Sequence, residues 1–351
     1  MLKKQYLLII LIISIGAVIT SNYFRRKYII EISIPVNVKK IYEIGSLYII
    51  DENNNMYSIV EANSLRNNSF INNISYEISD IIMENVKDIT YSSDNQVYLL
   101  DYDGNVYHFI DENNYRYKPL DNLPKISKIR AGENFCIALS IDGNVWAWGS
   151  NEKGQLGTNT YEYHFTPIKI TFENSIIDIE SGYDNVIALD KNYDVWAWGD
   201  NKYGRCGLDG DTIISKPTKL EIPEKIIKIS SGNTNSLALG ESGLVYSWGD
   251  TVEVLGKSRS QNSNKPARIM DLKNITAMSM RYSKPTAIAI DSEGNIFLWG
   301  FTYNYRIFSG SIPFKYEPMR IYSSNNIILA TPISIGVVVV EENGNMKLIR
   351  R

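Results

Sequence analysis

A fourteen-residue phrase returns seven times along this chain: a short apolar run, a turn, then a β-type residue followed by an aromatic. The copies begin at Leu47, Val97, Cys136, Val186, Ser236, Ala287 and Val337, at spacings of 50, 39, 50, 50, 51 and 50 residues. A fixed period of this length marks a repeat architecture, and strand-type content restricts it to a propeller or β-solenoid. Another short strand precedes each phrase, from Val38–Tyr42 to Ile327–Ala330, and a fourth strand opened by Pro167, Pro217, Pro266 or Pro318 follows most of them. Pro cannot donate to a ladder, so it suits the outermost strand. Each unit therefore reads as four strands, A to D, with A innermost.

The chain stops just after its seventh strand C, while a spare strand-like segment, Tyr28–Ile34, stands before the first strand A. Pairing that segment with Met346–Ile349 completes the last unit. The expected fold class is all-β: a seven-bladed β-propeller of four-stranded blades closed by an N-terminal strand and preceded by one N-terminal hydrophobic helix. Between strands B and C, Gly104, Gly143, Gly243, Gly294 and Gly344 share one turn position, with Asn54 and Tyr193 in the other copies. Asp-Gly and Asn-Gly supply the positive φ of a tight hairpin, so Tyr193 is expected to mark a changed turn. The Trp residues of strand C are expected to fill the wedges between blades.

The ends and the charge bear on location. Residues 6–24 carry no charge and reach the length of a membrane-spanning helix. The expected organisation is a basic tail (1–5), a transmembrane signal-anchor or signal peptide (6–24), a basic linker (25–27) and the propeller (28–351). This places the protein in the cell membrane as a single-pass protein with its propeller extracytoplasmic, or, if the segment is cleaved, in the secreted fraction. Residues 1–27 hold five cations and no acid, which leaves 31 basic and 39 acidic residues in the body, net −8. Such a body matches a phosphate backbone poorly and argues against nucleic acid.

The segments Gly149-Ser150-Asn151-Glu152-Lys153-Gly154-Gln155-Leu156-Gly157 and Gly199-Asp200-Asn201-Lys202-Tyr203-Gly204-Arg205-Cys206-Gly207 follow the phrase VWAWG. With Ala131-Gly132, Ser181-Gly182 and Ser231-Gly232 upstream, they resemble the regulator of chromosome condensation repeat family across roughly residues 126–300. The resemblance implies a propeller, and one propeller hosts many functions. Phe135, Asn185 and Asn235 depart from the family by standing where its repeats often have His.

Residue chemistry gives no sign of an enzyme. His108 and His164 have no local partners for metal binding, the two cysteines have no disulfide or zinc spacing, and no nucleophile elbow or phosphate-cradling loop occurs. No cofactor or metal is expected. The reading is a non-catalytic, membrane-tethered and monomeric platform for a protein partner, expected to be membrane-associated itself, the alternative being a secreted enzyme inhibitor or carbohydrate-binding or carbohydrate-active protein. Strand alternation brings A–B turns and C–D loops out on one face, where the candidate partner-binding residues are Tyr161, Tyr163, Phe165, Tyr203, Tyr303, Tyr305, Arg306 and Phe314.

Overall fold

The computed structural model describes residues 29–32, 38–44, 46–62, 75–92, 96–111, 116–210, 212–249, 263–280, 286–300, 317–333, 336–342 and 346–349. These residues form antiparallel sheets of four strands each. The first sheet contains Val38–Ile44, Ser46–Asp51, Met56–Ala62 and Ser75–Ile78; the second contains Val86–Tyr91, Val97–Asp101, Val106–Asp111 and Arg116–Pro119. The third contains Ile126–Ala131, Phe135–Ser140, Val145–Gly149 and His164–Ile170, and the fourth Ile176–Ser181, Asn185–Asp190, Val195–Asp200 and Ile213–Lys219. The fifth runs from Ile226–Ser231 to Ser263–Arg268 and the sixth from Ile275–Met280 to Met319–Ser323. In the seventh, Ile29–Ile32 pairs with Met346–Ile349, with Ile29 opposite Ile349 and Ile32 opposite Met346.

The expected fold class is corrected. The chain divides into two compact units, and the hydrophobic helix expected in front of the sheets is not among the described elements. One unit comprises residues 1–86, 303–313 and 322–351, the other residues 87–302 and 314–321. No α-helix occurs among the described residues, whose one helical piece is the 3-10 turn Lys202–Gly204. No described helix is long and apolar enough to cross a membrane. The single-pass helix, the signal-anchor and the cell-membrane placement built on them are corrected accordingly; residues 6–24 lie outside the described residues.

In the larger unit, neighbouring sheets pack face to face through the expected aromatic wedges. Trp198 closes a cluster with Ile137, Val145, Leu156 and Ile179, joining the third sheet to the fourth. Trp248 does the same for the fourth and fifth with Ile187, Val195, Cys206 and Ile229, and Trp299 for the fifth and sixth. All three indoles are at most 1% exposed. The cysteines are buried core residues, as their apolar neighbours imply. Inner strands are also stitched by hydroxyls: Thr90 Oγ1 accepts from Ala131 N, and Ser181 Oγ donates to the Ala131 carbonyl.

Three of the B–C hairpins share one device. The last residue of strand B turns a buried carboxylate into the hairpin, where it accepts from the backbone N–H four residues on and from the aromatic of strand C. Asp101 accepts from Asn105 N at 2.7 Å and Tyr107 Oη at 3.0 Å, and Asp190 from Asp194 N at 3.0 Å and Trp196 Nε1 at 3.1 Å. Asp51 repeats the arrangement with Asn55 and Tyr57. Tyr193 does not change the turn, contrary to expectation. It takes φ 68° and donates to the Asp190 carbonyl just as Gly143 donates to Ser140. The carboxylate clamp, present at Asp190, holds the hairpin whatever residue occupies the tip. Gly344 lies outside the described residues.

Two copies break the carboxylate rule. At Ser140 the side chain reaches only Asn144 N, and the buried Trp146 Nε1 has no acceptor among the described residues. At Gly240 the missing carboxylate comes from elsewhere. Glu224, in the segment before the fifth sheet, accepts from Ser242 N, Ser242 Oγ and Tyr246 Oη at 3.1, 2.7 and 2.9 Å. Burial works against its charge, but these donors outweigh it and hold Glu224 below the ordinary glutamate range. Tyr246 is pushed up to about 12, by burial and by the same bond. A Cβ at Gly240 would stand 2.1 Å from the Glu224 carboxyl carbon, so the two carboxylate sources exclude each other. We expect Glu224→Ala to cost roughly 1–3 kcal/mol in urea denaturation, Gly240→Asp alone to displace the end of the Glu224 side chain at a smaller cost, and the double variant to recover most of the Glu224→Ala loss. Additive losses in the double variant would contradict the exchange.

Candidate protein-docking face

The A–B turns and C–D loops of the third and fourth sheets converge on one face because each strand C ends beside its own A–B turn. Ser150 N donates to the Asn134 carbonyl and Asp200 N to the Asp184 carbonyl. The turns themselves touch across sheets. Glu133 N donates to the Tyr183 carbonyl and Tyr183 N to the Asn233 carbonyl, at one repeat position fifty residues apart. This approach explains the preceding glycines: a Cβ at Gly132 would meet the Gly182 carbonyl at 2.8 Å, and one at Gly182 the Gly232 carbonyl at 2.8 Å.

The C–D loops of the third and fourth sheets are each built around a fully buried asparagine. Asn151 Nδ2 donates to Thr158 Oγ1 and the Thr160 carbonyl, while its Oδ1 accepts from Leu156 N. Asn201 repeats this with the carbonyls of Leu208 and Gly210 and with Cys206 N. The loop then locks onto the next sheet: Trp198 Nε1 donates to the Gln155 carbonyl at 2.9 Å and Trp248 Nε1 to the Arg205 carbonyl at 3.1 Å. Gly157 and Gly207 lie against these indoles, where a Cβ would come within 2.9 and 3.1 Å. The second sheet has no such loop, since residues 112–115 alone join its last two strands. Trp148 Nε1 consequently has no acceptor among the described residues. Tyr98 instead stands edge-on to Trp148, stacked on His108 at 5.0 Å, and His108 Nε2 lies 2.6 Å from Gln96 Oε1.

The candidate partner-binding residues divide as follows. Tyr161, Tyr163 and Phe165 are 55%, 54% and 87% exposed, the last two with ring centroids 4.5 Å apart. Tyr203 is 46% exposed on the neighbouring loop, with Lys202 Nζ 5.0 Å and Arg205 Cζ 5.9 Å from its ring centroid. Its φ of 60° is left-handed, a conformation that costs energy for a bulky side chain. Tyr303, Tyr305, Arg306 and Phe314 lie outside the described residues.

Two charged groupings were not legible as such. On the inner strands, Lys128 pairs with Asp178 and, at 2.7 Å, with Glu180, while Arg130 bridges Glu180 and Asp88 at 2.9 Å each. Burial opposes the Glu180 charge, but Arg130 and Lys128 outweigh it and hold its carboxyl below the usual range. The fifty-residue register of Lys128 with Asp178 and Arg130 with Glu180 was the available signal. On the loop face, Tyr183 Oη donates to Glu133, which pushes the phenol up to about 12. Beside it, burial and then the charges of Glu133 and Asp200 push Asp184 up to about 6, against Arg205 and Lys153. No group of three or more metal-ligating side chains occurs among the described residues.

The family model described as regulator of chromosome condensation (RCC1) repeat matches residues 142–189 and 194–239, and a second model of the same description matches 126–155 and 176–205. Residues 126–239 carry regulator of chromosome condensation repeats. The curated regulator of chromosome condensation of Xenopus laevis is 40% identical over 53 residues, 15% of this chain and 12% of that protein. The match thus spans about an eighth of that relative's length. Among solved structures, human WBSCR16 is 17% identical with a TM-score of 0.66, covering 89% of this chain and 87% of that one. Yeast RCC1 (Prp20), solved with Kap60 bound, is 20% identical at the same TM-score, covering 87% and 78%. These likenesses show the β-propeller fold.

Because Asn151 closes its loop from within, Asn151→Ala should cost roughly 2–3 kcal/mol by leaving Leu156 N and the Thr160 carbonyl unpaired. Chemical denaturation monitored by Trp fluorescence checks this, and a loss below 0.5 kcal/mol would make the asparagine dispensable to the loop.

Proposed function

We propose that this chain is a non-catalytic protein–protein interaction platform that receives its partner on the face of A–B turns and C–D loops. The observation that carries the reading is Tyr161, Tyr163 and Phe165 standing exposed at the end of a loop closed by the buried Asn151. Three large rings held in water by an ordered loop give the apolar contact area typical of interface anchors, with little entropy left to lose on docking. The acidic body favours protein over nucleic acid as the partner. The yeast protein of like fold, bound to Kap60, lends support by analogy of fold.

A photo-crosslinking residue placed at Tyr163 or Phe165 in the full chain, expressed in its own cells, tests the assignment against Ile141, which is exposed in a B–C hairpin. A protein captured from the first two positions and not the third is then purified. It should bind wild type and lose at least about tenfold in affinity to Phe165→Ser. Equal capture at Ile141, or unchanged affinity for Phe165→Ser, overturns the assigned face.

A further inference from the structure

Within the proposed docking face, Asp184 is a buried carboxylate with few hydrogen-bond donors among the described residues. It is 9% exposed and sits in the A–B turn of the fourth sheet. Among the described residues its carboxylate receives one long bond, 3.4 Å from Gln155 Nε2. Glu133 faces it from the turn of the third sheet, already engaged by Tyr183 of its own turn. Asp200 faces it from the end of strand C, where Asp200 is taken by Arg205 Nη1 at 3.2 Å and Lys202 N at 2.9 Å. Lys153 contributes from the C–D loop of the third sheet and Arg205 from that of the fourth. Three carboxylates thus share two cations, and the cation nearest in the bonding scheme belongs to Asp200.

Gln155 makes this charge matter to the loop. Its Nε2 reaches Asp184 and, at 3.4 Å, Ser150 Oγ; its Oε1 accepts from Lys153 N at 2.8 Å; its carbonyl accepts from Trp198 Nε1. One residue therefore links the Asp184 carboxyl to the backbone of the loop and to the wedge between two sheets.

We propose that Asp184 is a proton switch for the docking face: ionised, it is repelled by Glu133 and Asp200 across the touching turns, and protonated, it loses that repulsion and loosens its hold on Gln155. The consequence for docking rests on the function proposed above, but the switch itself belongs to the isolated protein. Its direction follows from the balance of charges. An acid that is harder to ionise in the folded state than in the unfolded chain contributes most to stability at low pH. That contribution falls as pH rises from the unfolded value toward about 6 and stays lost above it. The proton is then a regulator: any partner that seats better on one form of the loop binds with a pH dependence through the same range.

The test uses the full chain without a partner. The Asp184 carboxyl carbon, followed by nuclear magnetic resonance in selectively labelled protein, should titrate with a midpoint near pH 6, and the Trp198 indole proton should shift with the same midpoint. In Asp184→Asn the Trp198 shift should vanish, and the melting temperature should rise by about 2–4 °C at pH 7.5 with no gain at pH 4. A carboxyl midpoint near pH 4, or a Trp198 titration that survives the substitution, overturns the switch. The carboxyl titration reads wild type alone, so a poorly folded variant leaves it decisive. A normal switch in a protein whose Phe165→Ser variant still docks would fail the docking face and leave the switch standing.

Discussion

The indole slot at the junction between neighbouring sheets is the interaction on which the larger unit depends. Trp198 and Trp248 each fill a wedge, present one donor outward, and receive a loop carbonyl from the preceding sheet. Burial of an indole contributes large apolar area, but its N–H must be satisfied if that burial is to be favourable. The loop supplies the acceptor, and a glycine two residues on lets the backbone come close enough to do so. Packing, hydrogen bonding and loop order are thus one arrangement, and the Asn151 and Asn201 side chains keep it rigid from inside the loop.

Much of this was legible in the sequence. A fifty-residue period places Ile126–Ala131, Ile176–Ser181 and Ile226–Ser231 as first strands, and the observed elements have those bounds. The pairing of the N-terminal strand with Met346–Ile349 was legible from a spare strand at one end and a missing one at the other. What escaped were relations between residues far apart in sequence or outside the repeated frame. Glu224 stands sixteen residues before the glycine it serves, so no periodic comparison of turn positions reveals it. Tyr193 misled because turn propensity is a property of the tip, whereas this turn is held from Asp190 below. The hydrophobic N-terminal run was read by length and charge alone, and no described helix supports that reading.

The candidate face shows the same division. Exposed rings at Tyr161, Tyr163, Phe165 and Tyr203 follow from their place in polar loops. The coupling of Glu133, Tyr183 and Asp184 depends on which turns come into contact, which pattern alone does not rank. Each of these residues occupies an ordinary turn position, and only their juxtaposition makes the site electrostatically unusual.

The Tyr98–His108 stack beside Trp148 has a consequence for how the larger unit comes apart. Between the third and fourth sheets, and between the fourth and fifth, a covalently continuous loop staples each sheet to the next. Between the second and third, side-chain rings stand at this place, and the Trp148 indole has no backbone acceptor among the described residues. Local opening proceeds in cooperative units whose stability follows their buried contacts and hydrogen bonds. The junction of the second and third sheets accordingly rests on side chains, the Tyr98 and Trp148 rings with the Thr90–Ala131 bond and the Asp88–Arg130 pair, where the next two junctions add a loop.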